Sequence, residues 1–206
     1  MKEFDDLYEV IKYLRSEKGC PWDREQTSES IAFDLIEEAY EINDAIESKD
    51  IDKLKEELGD LLFLVLMHIR IKEEEGHFTL AEILRNVKEK MIYRHPHVFG
   101  KRNFNNLKEL LENWEKSKEY PFESIPDYLP ALLMGQKIVE KIKRLNPELD
   151  KEKVYSMIIS NIQNFDEYGE KILHLIIDAS YSGKNLEKDL RQNFVLLKKK
   201  LSENKS

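Results

Sequence analysis

The sequence predicts an all-α fold, an antiparallel helical bundle. Apolar residues recur at steps of three and four along most of the chain, which is the period of a helix buried on one face. Phe4, Leu7 and Ile11 show this spacing first. Only 7 glycines and 6 prolines occur in 206 residues, so sharp turns are few. No segment shows the alternation of apolar and polar residues that is typical of strands.

Helix boundaries are predicted from capping residues and helix breakers. Thr27 or Ser28 is expected to cap the second helix, Gly76 to end the third, and Thr79 to cap the fourth. Residues 19–23 and 95–100 interrupt the helical pattern. The predicted helices cover residues 3–17, 27–48, 51–75, 79–93, 106–119, 130–145, 151–164, 167–181 and 184–202.

The overall charge and the cysteine count limit the classes of function. The formal net charge is −8, whereas a general nucleic-acid binder shows a basic face. Cys20 is the single cysteine, which excludes an internal disulfide framework and fits a reducing cytoplasm. The first residues lack the pattern of a signal peptide. The longest apolar run, residues 61–67, is far short of the roughly 18 residues of a membrane span. We expect a cytoplasmic protein that binds neither nucleic acid nor membranes.

Two pairs of acidic residues carry the main functional signal. Glu38 and Glu41 lie three apart on one predicted helix, and Glu57 and Asp60 lie three apart on the next. Residues three apart share a helix face. Because the turn between the helices is short, we expect them to pack antiparallel and to bring the two pairs together. Four such carboxylates repel one another unless a cation lies between them, and a hard divalent ion such as Mg²⁺ prefers oxygen ligands.

The alternative to a metal site is a solvated helix face, because acidic pairs are common in a chain with 36% charged residues. Apolar neighbours such as Leu35 and Leu58 place some of the carboxylates near a buried seam. Gly59, in the middle of a helix, indicates a close approach by another backbone or a ligand. The spacing alone leaves both interpretations open. His68, in an apolar helix, is expected to be a core residue whose hydrogen bonds are satisfied.

Four motifs in the first half stand in the order of a known family. They are GCPWDREQT from residue 19, EEAYE from 37, EELGDLLF from 56 and RHPHVFG from 94. This run resembles the MazG family of nucleoside triphosphate pyrophosphohydrolases, and its carboxylates fit the family pattern EExxE…ExxD. The resemblance implies an all-α unit, usually a homodimer, that cleaves nucleoside triphosphates to the monophosphate and pyrophosphate. It also implies Mg²⁺ as the cofactor, with Mn²⁺ as a substitute.

The same resemblance implies the roles of the acidic residues. The metal ligands are Glu38, Glu41, Glu57 and Asp60. Glu37 and Glu56 are nearby carboxylates that can orient a water or bind a second ion. The candidate catalytic residues are Glu37, Glu38 and Glu41, of which Glu38 or Glu41 is favoured beside the attacking water. The residue types do not separate a ligand from a base.

A triphosphate also needs cationic contacts, and we expect them from Lys53, Lys90 and Arg94. Lys53 lies one helical turn before Glu57, and Lys90 and Arg94 are four apart on one helix. The family resemblance places similar residues around the phosphates. Trp22 can stack on the nucleobase, because aromatic faces accept any base. The alternatives are surface cations and a tryptophan that serves only in packing.

The second half looks like a degenerate copy of the first. Residues 120–130 hold three prolines and are typical of a linker. Beyond them, Glu167 and Glu170 echo Glu57 and Asp60, but the helix before them lacks a carboxylate pair. We predict a catalytic MazG-like helical domain at 1–119, a linker at 120–130 and a degenerate second MazG-like domain at 131–206. The second domain is expected to have a structural or dimer-building role.

Two other functions were weighed against hydrolysis. A non-catalytic helical module that binds a nucleotide or a protein partner would use the same pocket, and the intact carboxylates argue against it. A di-iron carboxylate bundle needs a Glu-x-x-His on each of two helices. The nearest case, Glu74 to His77, lies at a helix end.

Overall fold

The structure is a computed structural model that describes residues 2–100, 106, 109–110, 122–162 and 166–203. The all-α prediction is confirmed, since every regular element of these residues is a helix. The helices are α1 (Lys2–Leu14), α2 (Pro21–Glu25), α3 (Asp34–Ser48), α4 (Ile51–Glu74), α5 (Leu80–Arg94), α6 (Pro96–Phe99), α7 (Ala131–Leu145), α8 (Lys151–Asn161), α9 (Glu167–Tyr181) and α10 (Leu186–Glu203). None of these described helices combines the length and the apolar character that crossing a membrane requires.

The chain divides into two compact units, Met1–Gly100 and Lys101–Ser206. In the first unit the core lies where α1 packs on the second half of α4. Tyr8 and Ile11 of α1 are buried there with Leu66 and Met67 of α4. Tyr8 and Ile11 are three residues apart and therefore share one face of α1, as the apolar period predicts. Ile31 joins the same core from the segment before α3.

Helices α3 and α4 form a hairpin with a two-residue turn. Lys49 has a φ of 58°, and its N–H donates to the carbonyls of Ala45 and Ile46, which ends α3. Asp50 then caps α4, because its side chain accepts a hydrogen bond from the Lys53 N–H at 3.0 Å. A turn this short makes the two helices antiparallel neighbours, and they pack along each other.

The start of α3 differs from the prediction. The helix begins at Asp34, not near Thr27 or Ser28, and residues 28–33 form turns. The Thr27 hydroxyl accepts from the Ser30 N–H at 3.2 Å, and the Thr27 N–H donates to the Ser30 hydroxyl at 3.0 Å. These polar side chains therefore satisfy a local turn in place of a helix N-terminus. By contrast, Thr79 caps α5 as predicted, in a capping box with Glu82.

Arg15 fixes the segment between α1 and α3 to the end of α4. Its side chain is 5% exposed and forms an ion pair with Glu74 at 2.8 Å. It also donates to the carbonyls of Asp23 and Gln26, at 2.6 and 3.1 Å. The predicted break at residues 19–23 contains the short helix α2, which begins at Pro21, a residue suited to the first helical position.

The second unit has its own core, where α7 and α8 pack on α9. Val139, Val154 and Ile177 are among its buried residues. Gln136 is 3% exposed; its amide donates to the Lys184 carbonyl and accepts from the Leu186 N–H, both at 2.8 Å. This bridge joins α7 to the start of α10. The predicted helix at 106–119 lies almost entirely outside the described residues.

Candidate active site

The facing surfaces of α3 and α4 bring together three of the four predicted metal ligands. One carboxylate oxygen each of Glu38, Glu57 and Asp60 lies within 4.8 Å of the other two. Glu38 comes from α3, whereas Glu57 and Asp60 come from the first half of α4. The three-residue step within α4 places its two carboxylates on one face, and the antiparallel hairpin sets Glu38 opposite them.

The fourth predicted ligand, Glu41, is linked to the cluster by Lys53, which lies close to both Glu41 and Glu57. The Lys53 ammonium lies 3.8 Å from a Glu41 oxygen and 3.7 Å from a Glu57 oxygen. Lys53 and Glu57 are one turn apart on α4, so a single side chain spans both helices. The structure therefore unites Glu41, Lys53 and the three clustered carboxylates at one site.

Burial and mutual repulsion shape the acidity of this cluster. The pKa of Glu38 is raised, first by burial and then by the charges of Asp60 and Glu41. The pKa of Glu57, which is 6% exposed, is also raised, first by burial and then by the hydrogen bond and charge of Glu41. These carboxyls hold protons more tightly than ordinary glutamates, because burial disfavours their charged form and ionising them together places like charges side by side.

A divalent cation fits this donor set. The Glu38 Oε2 atom is buried and has no hydrogen-bond partner among the described residues. An unsatisfied buried carboxylate oxygen is costly unless another group compensates it. Clustered carboxylate oxygens are the ligands that hard ions such as Mg²⁺, Mn²⁺ and Ca²⁺ prefer. A cation at this position would bind the unpartnered oxygen and remove the repulsion that raises the two pKa values.

The remaining predicted site residues lie around this cluster or on other helices. Glu37 and Glu56 are exposed neighbours on α3 and α4. Trp22 lies on α2 and is 62% exposed, so it does not serve only in packing. Lys90 and Arg94 lie on the exposed surface of α5. Their contacts with a substrate stay predictions.

Two sequence interpretations can be compared with the structure at the hairpin. The described residues bring no backbone close to Gly59, because a Cβ atom built there would have nothing within 4 Å; the approach of a ligand stays a prediction. His68 is not a satisfied core residue, since its Nε2 atom is buried without a hydrogen-bond partner in the described part of the chain. The Ser28 hydroxyl is buried in the same way. The apolar neighbours of His68 in the sequence indicated burial, but they did not indicate whether its ring nitrogens have hydrogen-bond partners.

The second unit shows no comparable cluster in the residues that the structure describes. Glu167 and Glu170, the echo of Glu57 and Asp60, are both exposed on the first turn of α9. Glu167 forms an ion pair with Lys171, one turn further along the same helix. The proposed loss of activity in this half stays a prediction, and these positions agree with it.

Comparison with known proteins links the site to a family. Residues 26–99 match the model of the MazG nucleotide pyrophosphohydrolase domain. A nucleoside triphosphate pyrophosphohydrolase/pyrophosphatase MazG of Thermotoga maritima is 39% identical over 173 residues, which cover 80% of this chain and 66% of that protein. A nucleoside triphosphate pyrophosphohydrolase of Escherichia coli K12 is 40% identical over 151 residues, which cover 68% of this chain and 57% of that protein.

A third relative is much longer than the chain. The uncharacterized protein YabN of Bacillus subtilis is 40% identical over 144 residues, which cover 66% of this chain and 29% of that protein. The chain thus spans between 29% and 66% of the length of these three relatives. The domain matched by the family model contains all four predicted metal ligands. The chain belongs to the MazG family.

Proposed function

We propose that the protein is a magnesium-dependent nucleoside triphosphate pyrophosphohydrolase, which converts NTP or dNTP to the monophosphate and pyrophosphate. The observation that carries this proposal is the cluster of Glu38, Glu57 and Asp60 inside the MazG domain. Triphosphates approach carboxylates only when a cation intervenes, and these carboxylates are arranged to hold one. The names of the Thermotoga and Escherichia relatives support the same reaction.

Glu38, Glu41, Glu57 and Asp60 would hold the magnesium, and Mn²⁺ would substitute for it. When bound, the ion neutralises the charge that builds up on the phosphate oxygens during transfer. Glu41 is 43% exposed at its side chain, whereas Glu57 is 8% exposed. Glu41 is therefore the more accessible of these two to a water from solvent.

The protein side chains would position the reactants and move the proton. A water near Glu38 or Glu41 attacks the α-phosphorus, while Glu37 helps to orient it and a carboxylate accepts its proton. The bond between the α-phosphorus and the bridging oxygen breaks, and pyrophosphate leaves with that oxygen. Lys53, Lys90 and Arg94 would contact the phosphates, and Trp22 would stack on the base.

We also propose a homodimer that acts on the cytoplasmic nucleotide pool. Leu58, Leu62 and Val65 follow a helical step along α4 and are 40 to 51% exposed. Ile36 and Tyr40 on α3 are also exposed, at 45% and 42%. A second copy would bury this surface, and the space beside Gly59 leaves room for it. The net charge of −8 supports the absence of nucleic acid as a partner.

The deciding experiment incubates purified protein with Mg²⁺ and a panel of ribo- and deoxynucleoside triphosphates. We expect monophosphate and pyrophosphate in equal amounts, and a loss of about a hundredfold or more in kcat for Glu41→Gln. Asp44→Asn, an exposed change on α3, is the matched control and should keep full activity.

Release of orthophosphate by the wild type would show that the assigned bond is wrong. Full activity in Glu41→Gln would show that the assigned site is wrong. Magnesium-dependent nucleotide binding without any product would favour the non-catalytic binding module over the enzyme.

A further inference from the structure

In the part of the chain that the structure describes, two buried polar atoms outside the carboxylate cluster lack hydrogen-bond partners. The Ser28 Oγ and the His68 Nε2 atoms are covered from solvent, and neither has a hydrogen bond within the described residues. Nearly all buried polar side-chain atoms in proteins are hydrogen-bonded, so such atoms call for a ligand or an ordered water. The proposed hydrolysis uses neither residue.

The two residues belong to one end of the first unit. Ser28 begins the turns at 28–33, and Ile31 of these turns is buried in the same core as Leu66 and Met67 of α4. The neighbouring Glu29 has its pKa lowered mainly by its backbone hydrogen bond and by Thr27, with smaller contributions from the charges of Lys72 and His68. The turns therefore lie along the second half of α4, next to His68.

His68 lies on the same face of α4 as Glu57 of the carboxylate cluster. Glu57, Leu61, Leu64 and His68 follow steps of four, three and four along α4, which places them on one face of the helix. His68 lies eight residues beyond Asp60, or about 12 Å along the helix axis. Because α3 is antiparallel to α4, Ser28, which precedes Glu38, is displaced in the same direction. The carboxylates thus lie at one end of this region, and two polar atoms without a hydrogen bond to any described residue lie at the other.

The distance along α4 between the carboxylate cluster and His68 is comparable to the length of a nucleotide. A nucleotide whose phosphates lie at the carboxylates extends its base away from them by a comparable distance. The hydroxyl of serine both donates and accepts, and the imidazole Nε2 does either according to its tautomer. The edge of a nucleobase offers donors and acceptors of the same kinds. Both residues are partly exposed, so rotating either polar atom outward breaks no hydrogen bond among the described residues.

We propose that Ser28 and His68 form the nucleobase-recognition end of the substrate site and determine which base the enzyme prefers. The inference rests on the proposed function, because it assumes that the carboxylates hold the triphosphate. It assigns these residues to binding and selectivity, and it leaves the phosphate chemistry to the carboxylate end.

The test compares Ser28→Ala and His68→Phe with the wild type on two kinds of substrate. One is the set of four common ribonucleoside triphosphates, and the other is ribose 5-triphosphate, which has the same phosphates and no base. We expect each variant to lose about tenfold in kcat/KM on the preferred nucleotide, chiefly through KM. Activity on ribose 5-triphosphate should stay unchanged, and the differences among bases should shrink.

Stability and binding provide independent readouts. Neither polar atom has a partner among the described residues, so both variants should unfold at the wild-type temperature or above it without nucleotide. Calorimetric titration with magnesium and nucleoside monophosphate should show the same tenfold loss in affinity. Ser160→Ala and His77→Phe change an exposed serine and an exposed histidine, and they should leave every measurement unchanged.

Equal losses on the nucleotides and on ribose 5-triphosphate would overturn the inference, as would unchanged selectivity in both variants. A wild type that binds nucleotides without releasing pyrophosphate would instead overturn the proposed function. In that case the titrations still decide the role of Ser28 and His68, because a base-recognition site must lose affinity in both variants.

Discussion

Arg15 and Glu74, which are 59 residues apart in the chain, form an ion pair with a nitrogen–oxygen distance of 2.8 Å. The same guanidinium donates to the Asp23 and Gln26 carbonyls. Replacing Arg15 by Met removes all these donors and leaves a partly buried carboxylate and two carbonyls without them. We expect the free energy of unfolding to fall by about 2–3 kcal/mol, measured by urea denaturation.

Lys12→Met is the matched control for Arg15→Met, because Lys12 is partly exposed and pairs with the exposed Glu9 on the same helix. Such pairs contribute at most about 1 kcal/mol, so its stability should stay close to that of the wild type. Equal losses in the two variants would mean that the buried contacts of Arg15 do not stabilise the fold.

Replacing Gly19 and Gly59 by alanine should have opposite effects on stability. A Cβ at Gly19 would lie 2.1 Å from the Tyr13 carbonyl oxygen and 2.2 Å from that of Leu14. The clash is with backbone, so Gly19→Ala should destabilise the protein by about 1–3 kcal/mol. Gly59 lies inside α4 with open space around it, so Gly59→Ala should stabilise it by about 0.5–1 kcal/mol. Thermal unfolding of both variants checks the signs, and a destabilised Gly59→Ala would mean that another group, such as the second copy of the proposed homodimer, occupies this space.

The raised pKa values of Glu38 and Glu57 predict a dependence of stability on pH. Both are raised above the ordinary 4.5, so the folded state keeps these protons to higher pH than the unfolded chain does. Their contribution to stability is complete below the unfolded pKa and is lost as pH rises through the folded pKa. With a chelator present, we expect this contribution to lower the unfolding temperature as pH rises above the ordinary pKa of glutamate, 4.5.

The double variant Glu38→Gln/Glu57→Gln isolates that contribution, because it removes both titrating groups. Its decline over the same pH range should be smaller than that of the wild type. Adding Mg²⁺ should raise the unfolding temperature of the wild type most at the higher pH, where the ligands are ionised, and leave the double variant nearly unchanged. Parallel pH profiles for the two proteins would contradict the assignment.

Lys53 predicts opposite changes in metal and substrate affinity. Its ammonium competes with a cation for Glu41 and Glu57, but in the proposed function it also contacts the phosphates. In Lys53→Met, Mg²⁺ should bind more tightly to the substrate-free protein, while the KM for nucleotide rises about tenfold. Calorimetry and steady-state kinetics measure the two effects. Lys55→Met, an exposed change on the same helix, should alter neither; an unchanged KM in Lys53→Met would rule out its role at the phosphates.

The helices could be predicted because their apolar spacing reflects burial. Ile11 and Leu66, for example, occupy the core that the period indicates. The start of α3 was predicted wrongly because Thr27 and Ser30 cap one another in a turn, a pairing that the residue types do not reveal. The partnership of Arg15 with Glu74 could not be predicted either, since it joins distant parts of the chain.

The carboxylate cluster could be anticipated because it depends on local geometry. A three-residue step and a short turn suffice to bring Glu38 close to Glu57 and Asp60. His68 depends on tertiary surroundings, since a histidine in an apolar helix is compatible with either a satisfied or an unsatisfied side chain. Only the packed structure shows that its Nε2 atom has no partner among the described residues.

Because the turn at Lys49 and Asp50 has only two residues, the number of residues between the two acidic pairs determines whether the pairs face each other. An extra residue inserted into α3 after Glu41 would rotate Glu38 and Glu41 by about 100° around the helix axis relative to the turn. The short turn cannot compensate for this rotation, so Glu38 and Glu41 would point away from α4. The same insertion after Asp60 would keep the carboxylates face to face and displace the second half of α4 instead.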